Sequence, residues 1–168
     1  MAVYTLDTLE LCHSPVEALR ARIEALAAMP AFLSALLGRC AEVELRRKPS
    51  VESFSVLEQI CHLRDIEIEG YAERLHRTLT EERPFLPGID GSRLSVDRAY
   101  NKQEVVPAFM AFREAREKNL ARLRQLAETE LQRTAVMDEA GEITLAQLIA
   151  MWASHDASHR QELTPADR

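Results

Sequence analysis

Two histidines four residues apart, His155 and His159, lie in the segment Thr144-Leu-Ala-Gln-Leu-Ile-Ala-Met-Trp-Ala-Ser-His-Asp-Ala-Ser-His. If this segment is a helix, the two rings leave it on one face, about 40° apart around the axis. Imidazoles placed in this way can share one metal ion. Leu148 and Trp152 fall on the same stripe, so both rings are expected to point inward. Buried imidazoles need partners, and one ion satisfies both.

The string His-Asp-Ala-Ser-His differs from the zinc-protease motif H-E-x-x-H by Asp for Glu. Those enzymes take a third ligand from downstream, and nine residues follow His159. A third ligand is therefore expected upstream. His13 precedes the first expected helix and reads as a surface residue. His76 stands fourteen residues after His62, about 21 Å along a helix, so the two cannot serve one ion. His62 is the better choice, two turns into the second expected helix on its inner face. Three neutral nitrogens from two helices leave coordination positions free for water or substrate, as in catalytic zinc sites. Imidazoles suit zinc, nickel, iron or copper alike. The bland alternative is a histidine pair that holds no ion, and spacing alone does not exclude it.

Other residues have two readings each. Glu58, Asp65 and Glu69 lie within about 60° of His62 around the helix. They could hold an imidazole N–H or act as a general base, or they could pair with the chain's many arginines. Pairing is the expectation for Glu58 and Glu69, and both roles stay open for Asp65. Asp156, about 60° from His159, is expected to support the site or to be a surface acid. Glu162 reads as a solvated acid. Arg116 interrupts the apolar stripe of Val105, Phe109, Leu120, Leu123 and Ala127. A buried Arg needs a carboxylate, from an acid of the second helix or from an anionic substrate. Asp90 and Tyr100 border a long connection and could reach the open side of the metal. Cys61 points about 100° away from His62 and reads as a small buried residue.

The elements that must position these groups are helices. Glycine is rare, with five in 168 residues, and apolar residues recur three and four apart. Capping boxes are expected at Ser14/Glu17, Ser55/Glu58, Asn101/Glu104 and Thr144/Gln147. The first helix would run over about 15–28, with Pro30 breaking or kinking it before a second piece toward Arg47. The second would span about 56–79. The third would span about 102–131, starting at Pro107 if that residue interrupts it. The fourth would span about 145–163. The connection 80–100 holds Pro84, Pro87, Gly88 and Gly91, and loops of that length often border a site. The connection 132–143 carries Asp138-Glu-Ala-Gly, a turn between two short extended pieces. Four helices with one long crossover predict an all-α four-helix bundle.

The length fits one domain with a proper core. A formal net charge of −6 argues against nucleic acid, whose phosphates need a basic face. Three scattered cysteines, Cys12, Cys40 and Cys61, make neither a disulfide framework nor a CxxC pair. The start, MAVYTLDTLE, is unlike a signal peptide, and no apolar run is long enough to span a membrane. The cytoplasm is the expected compartment.

The segment Phe54-Ser-Val-Leu-Glu-Gln-Ile-Cys-His62-Leu-Arg-Asp65 resembles the second-helix motif of the DinB/YfiT-like family. Thr144 to Leu148, Trp152, His155-Asp156, His159 and Gln161 resemble its fourth-helix motif. Glu81-Glu-Arg-Pro-Phe-Leu-Pro-Gly-Ile-Asp-Gly resembles its inter-helix loop. The resemblance covers nearly the whole chain. It implies a four-helix bundle, a divalent transition metal on His62, His155 and His159, and a homodimer. It also implies enzymatic use of that metal, best guessed as activation of a low-molecular-weight thiol for transfer, with hydrolysis of another small molecule close behind. A non-catalytic, stress-associated metal-binding bundle is the alternative.

Overall fold

The fold is seen in a computed structural model that describes residues 14–138 and 140–164. The first helix, α1, spans Pro15–Leu37. Ser14 and Glu17 form the expected capping box, with backbone-to-side-chain distances of 2.9 and 3.3 Å. Leu19, Ile23, Leu26, Met29, Leu33 and Leu36 bury one face, in steps of three and four.

The break expected near Pro30 does not occur, since α1 runs through it. Pro30 has no N–H for the Leu26 carbonyl one turn back. Arg116 supplies the missing donor, its Nη1 lying 2.7 Å from the Leu26 oxygen. A side chain from another helix thus replaces the lost backbone bond. Only a single turn, α2 (Glu42–Leu45), follows before residue 47.

The second rod is capped by Ser55 and Glu58, at 2.8 and 3.1 Å. It consists of α3 (Val56–Asp65), a π-helical turn (Ile66–Tyr71) and α4 (Ala72–Thr80). The π turn is absent from the expectation for 56–79. It adds a residue to one turn, which shifts every later side chain by about 100°. His62, Ile66, Tyr71 and Arg74 therefore share one wall in steps of four, five and three.

The connection 80–100 is structured. It contains strand β1 (Phe85–Leu86) and helix α5 (Gly91–Asp97), the latter capped by Asp90. A 3₁₀ turn at Tyr100–Lys102 leads into α6, Val105–Leu123. The capping box expected at Asn101 and Glu104 is not formed. Asn101 instead accepts from Ser55 Oγ at 2.8 Å and donates to the Arg46 carbonyl at 3.0 Å. Pro107 falls in the first turn of α6, where its missing N–H leaves no carbonyl unpaired. α6 ends eight residues before the expected 131 and is followed by a 3₁₀ turn, Glu128–Gln132.

Strands β2 (Thr134–Met137) and β3 (Gly141–Thr144) are the two short extended pieces. They pair antiparallel, Thr134 opposite Thr144, and β1 joins β2 in parallel, Phe85 opposite Val136. Gly141, at φ +75°, takes the left-handed conformation that closes the hairpin. The all-α four-helix bundle expected from the sequence holds, with this small three-stranded sheet as a minor addition. The last helix, α7, spans Leu145–Leu163 and is capped by Thr144 and Gln147.

The core has two apolar clusters. One gathers Leu19, Leu26, Leu123, Leu148 and Trp152, and the other gathers Met29, Leu33, Leu57, Ile60 and Phe112. Arg116, Glu67 and Asp156, all buried, fall between the two clusters along their own helices. Cys40 and Cys61 are free thiols; Cys12 and His13 lie outside the described residues. No helix among the described residues is long and apolar enough to cross a membrane.

Candidate metal centre

The helices α3 and α7 meet at three rings. His155 Nε2 lies 3.1 Å from His62 Nε2 and 3.1 Å from His159 Nε2. All three ligand nitrogens lie within 4.8 Å of one another. Metal–nitrogen bonds of about 2.0–2.1 Å separate neighbouring ligand atoms by about 2.8–3.4 Å at right-angled to tetrahedral geometry, so the 3.1 Å spacings to His155 suit a common ion.

The electrostatics favour neutral rings. Burial, reinforced by the neighbouring His159, lowers the His62 pKa to about 4, against the pull of Asp65. Burial and the two other histidines hold His155 well below the ordinary value. Burial also lowers His159, against Glu162 and Asp156. Protons are thus a poor answer to three facing nitrogens, and a cation that accepts lone pairs is a good one.

The outer nitrogens differ. His159 Nδ1 meets the side-chain carbonyl of Gln59, a residue only 3% exposed. His62 Nδ1 is buried with no hydrogen-bond partner. Beside it lies Gly91, where a Cβ would stand 2.5 Å from His62 Cε1. The first turn of α5 thus packs on the ring through its bare backbone.

The three histidines border a cavity of about 1260 Å³ with an apolar wall of Ile66, Ile89, Met137 and Met151. Arg74, Asp90, Asp138, Ser154 and Ser158 supply its polar groups. Arg74 donates to the Pro87 carbonyl at 3.0 Å.

The sequence profile of the DinB superfamily matches residues 25–163. The chain belongs to the DinB superfamily. Among solved structures it is similar to YfiT from Bacillus subtilis, described as a probable metal-dependent hydrolase with an unusual four-helix bundle topology. The match has a TM-score of 0.78 at 20% identity and covers 97% of this chain and 90% of YfiT. At that identity the likeness shows a shared fold. No curated protein matches the chain.

Within this DinB-superfamily bundle, the other sequence candidates divide. Arg116 is corrected as a substrate-side residue. Its five N–H donors all have acceptors: Glu67 takes two at 2.9 and 2.8 Å, Asp156 two at 2.6 and 3.1 Å, and the Leu26 carbonyl one. The partner foreseen on the second helix is Glu67, in the π turn. Burial pushes the Glu67 carboxyl up, opposed by Arg116 and Asn119.

Asp156 faces Arg116, and Asp65 accepts from Arg64 (2.6 Å), Arg98 (2.7 Å) and Tyr100 (2.7 Å). Neither makes a hydrogen bond to an imidazole among those of the described residues, so both are corrected as direct supports of the rings. Tyr100 is fully buried behind α3 and does not line the cavity. Asp90 does reach the cavity, where it caps α5 and so presents Gly91 to His62. Glu69 pairs with Arg98 at 2.7 Å, Glu58 faces Lys48 at 3.4 Å, and His76 is exposed on α4.

Sequence reasoning missed Gln59, Glu67 and Gly91. Gln59 stands one turn before His62, a position where a buried amide looks like any helical glutamine. Glu67 is about 140° from His62 on a regular helix, and only the demand of Arg116 for an acid pointed toward it.

Proposed function

We propose that this chain is a metal-dependent enzyme that activates water for hydrolysis of a small molecule at His62, His155 and His159. The observation that carries the reading is the convergence of three neutral imidazole nitrogens at the edge of a large cavity. A bound divalent ion with free positions would act as a Lewis acid and lower the pKa of a water or thiol that shares it. The chain's own residues have separate tasks. The histidines hold the ion, and the wall of Ile66, Ile89, Met137 and Met151 takes the apolar part of a substrate and sheds water. Ser154, Ser158 and Arg74 offer hydrogen bonds near the rings.

A second reading, transfer of a small thiol to an electrophile, is favoured by the cavity's volume. About 1260 Å³ is above the usual range of about 300–1,000 Å³ for a single ligand, so two small reactants fit side by side.

The test is a purified protein loaded in turn with zinc, nickel and iron, and offered esters, amides and electrophiles with and without a small thiol. Turnover is expected with one metal and is expected to fall at least about 100-fold in His155→Ala, whose helical signal should match the wild type. Dependence on added thiol decides for transfer over hydrolysis. Stoichiometric metal with no turnover across the panel refutes catalysis and leaves a metal-binding bundle.

A further inference from the structure

The tautomer of His159 is set by a chain of hydrogen bonds whose direction can be read from its far end. Glu162 Oε2 lies 2.5 Å from Gln59 Nε2. An ionised carboxylate only accepts, so the amide group of Gln59 must turn its NH₂ toward Glu162. That orientation leaves the amide oxygen facing His159 Nδ1. An amide oxygen also only accepts, so Nδ1 must carry the ring's proton. In a neutral ring the lone pair then lies on Nε2, the atom that faces His155 at 3.1 Å.

We propose that Gln59 is the positioning residue of the centre: it holds His159 as the tautomer whose Nε2 lone pair points at the metal position, and Glu162 holds Gln59. The inference rests on the reading that these histidines bind a metal. It concerns an amide on α3 acting on a ligand from α7, so it also ties the two helices together at the centre. The burial of Gln59 supports a specific role. At 3% exposure its amide has no water to fall back on, and an unpaired buried amide is costly. His62 offers the internal contrast, because its Nδ1 has no such partner. A rigid neighbour, Gly91, packs on that ring in its place. These two ligands are therefore held by different means, His159 by a hydrogen bond to its Nδ1 and His62 by packing.

The experiment has a metal-free arm and a zinc arm. Long-range ¹H–¹⁵N spectra of the metal-free protein report which ring nitrogen of His159 bears hydrogen. Competition with a chromophoric chelator reports zinc affinity. The wild type is expected to show protonated Nδ1. Gln59→Leu is expected to give mixed tautomers and to lose about 10- to 100-fold in zinc affinity. The exchanged pair Q59E/E162Q keeps an acceptor on Nδ1 and a donor on that acceptor, so it should restore the tautomer and recover affinity to within a few-fold of wild type. Glu162→Ala frees the amide to flip and should weaken zinc less than Q59L does. If Q59L does not fold, the exchanged pair and E162A still decide.

Protonated Nε2 in the wild type, or unchanged zinc affinity in Q59L, overturns the proposal while leaving the metal site standing. Failure of the exchanged pair to recover affinity also overturns it. Wild type that shows protonated Nδ1 but binds no zinc, nickel or iron overturns the proposed function and, with it, the role of Gln59 toward a metal.

Discussion

Two polar clusters sit side by side in the bundle, and α7 feeds both: Asp156 enters one and its neighbour His155 enters the other. In the first, Arg116 spends every donor on Glu67, Asp156 and the Leu26 carbonyl. Glu67 accepts in addition from Asn119 at 2.9 Å and from Trp152 Nε1 at 3.1 Å. Burial works against the Arg116 charge, and the two carboxylates outweigh it. In the second cluster, three ring nitrogens of like polarity face one another, and burial pushes all three rings toward the neutral form. A closed network joins α1, the π turn, α6 and α7 and asks nothing of solvent or ligand. An open one has spare lone pairs aimed at a common point. Saturation by the protein's own groups separates scaffold from site here, and the site is also the less buried of the two, His155 being only partly buried.

The strongest way to break this contrast is to open the closed cluster. Arg116→Met should cost about 3–5 kcal/mol, because it strands two buried carboxylates, and it also orphans the Leu26 carbonyl. Urea unfolding followed by fluorescence of Trp152, the one tryptophan of the chain, measures it directly. The triple variant Arg116→Met, Glu67→Leu, Asp156→Leu should regain part of the loss, since no charge is then left unpaired. A loss under about 1 kcal/mol in the single variant would place Arg116 with ordinary surface arginines and remove the distinction between the two clusters.

Acid should act on the open cluster. His62 has a folded pKa of about 4, below the ordinary 6.5, so between those values the unfolded chain binds more protons than the folded one. The metal-free protein therefore keeps this contribution above pH 6.5 and loses it as pH falls toward 4. The loss from His62 is about 3 kcal/mol at 1.36 kcal/mol per unit, and His155 and His159 change in the same direction. Urea midpoints between pH 7.5 and 4.5 test this, with His62→Ala expected to flatten the profile. A wild-type profile that is already flat would mean that the rings are solvated and that the cluster is not buried as described.

The histidine set was legible because its signal is periodic and chemical at once: His155 and His159 share a helical stripe with Trp152, and only one upstream histidine could meet them. Three of four capping boxes were legible for the same reason, each being a local pair of polar residues. Local rules failed where a distant group intervened. Pro30 should have broken α1, and it does not because Arg116 supplies a donor from α6. Asn101 should have capped α6, and it is instead recruited by Ser55 and Arg46. The π turn has no local signature in Ile66–Tyr71. Its phase shift moved Tyr71 and Arg74 to the cavity wall, which a regular helix would have given to other residues. Tyr100 and Asp65 looked free for the site because they pair with each other, and the two arginines that complete Asp65, Arg64 and Arg98, could not be ranked among the chain's many arginines without coordinates.

The finest test of the contrast concerns the ring whose Nδ1 has no hydrogen bond. The Nδ1 side of His62 relies on packing, and Gly91 is part of it. A Cβ at residue 91 would stand 2.5 Å from Cε1 and 2.7 Å from Nδ1 of His62, closer than carbon atoms tolerate. The bare backbone at Gly91 leaves space for the ring, so Gly91→Ala probes that packing, with the backbone effect of Gly→Ala common to the Gly70 control. Either the ring tilts off the metal position or α5 lifts from α3, and both loosen one ligand of three. Zinc affinity is expected to fall about tenfold, or about 1.4 kcal/mol, while the metal-free protein should melt within a few degrees of wild type. Gly70→Ala is the matched control, since its Cβ would meet the flexible end of Ile89 at 3.3 Å and touches no histidine. Equal zinc affinity in the two variants would show that α5 yields without disturbing the ring, and that His62 is held by something other than the backbone packed against it.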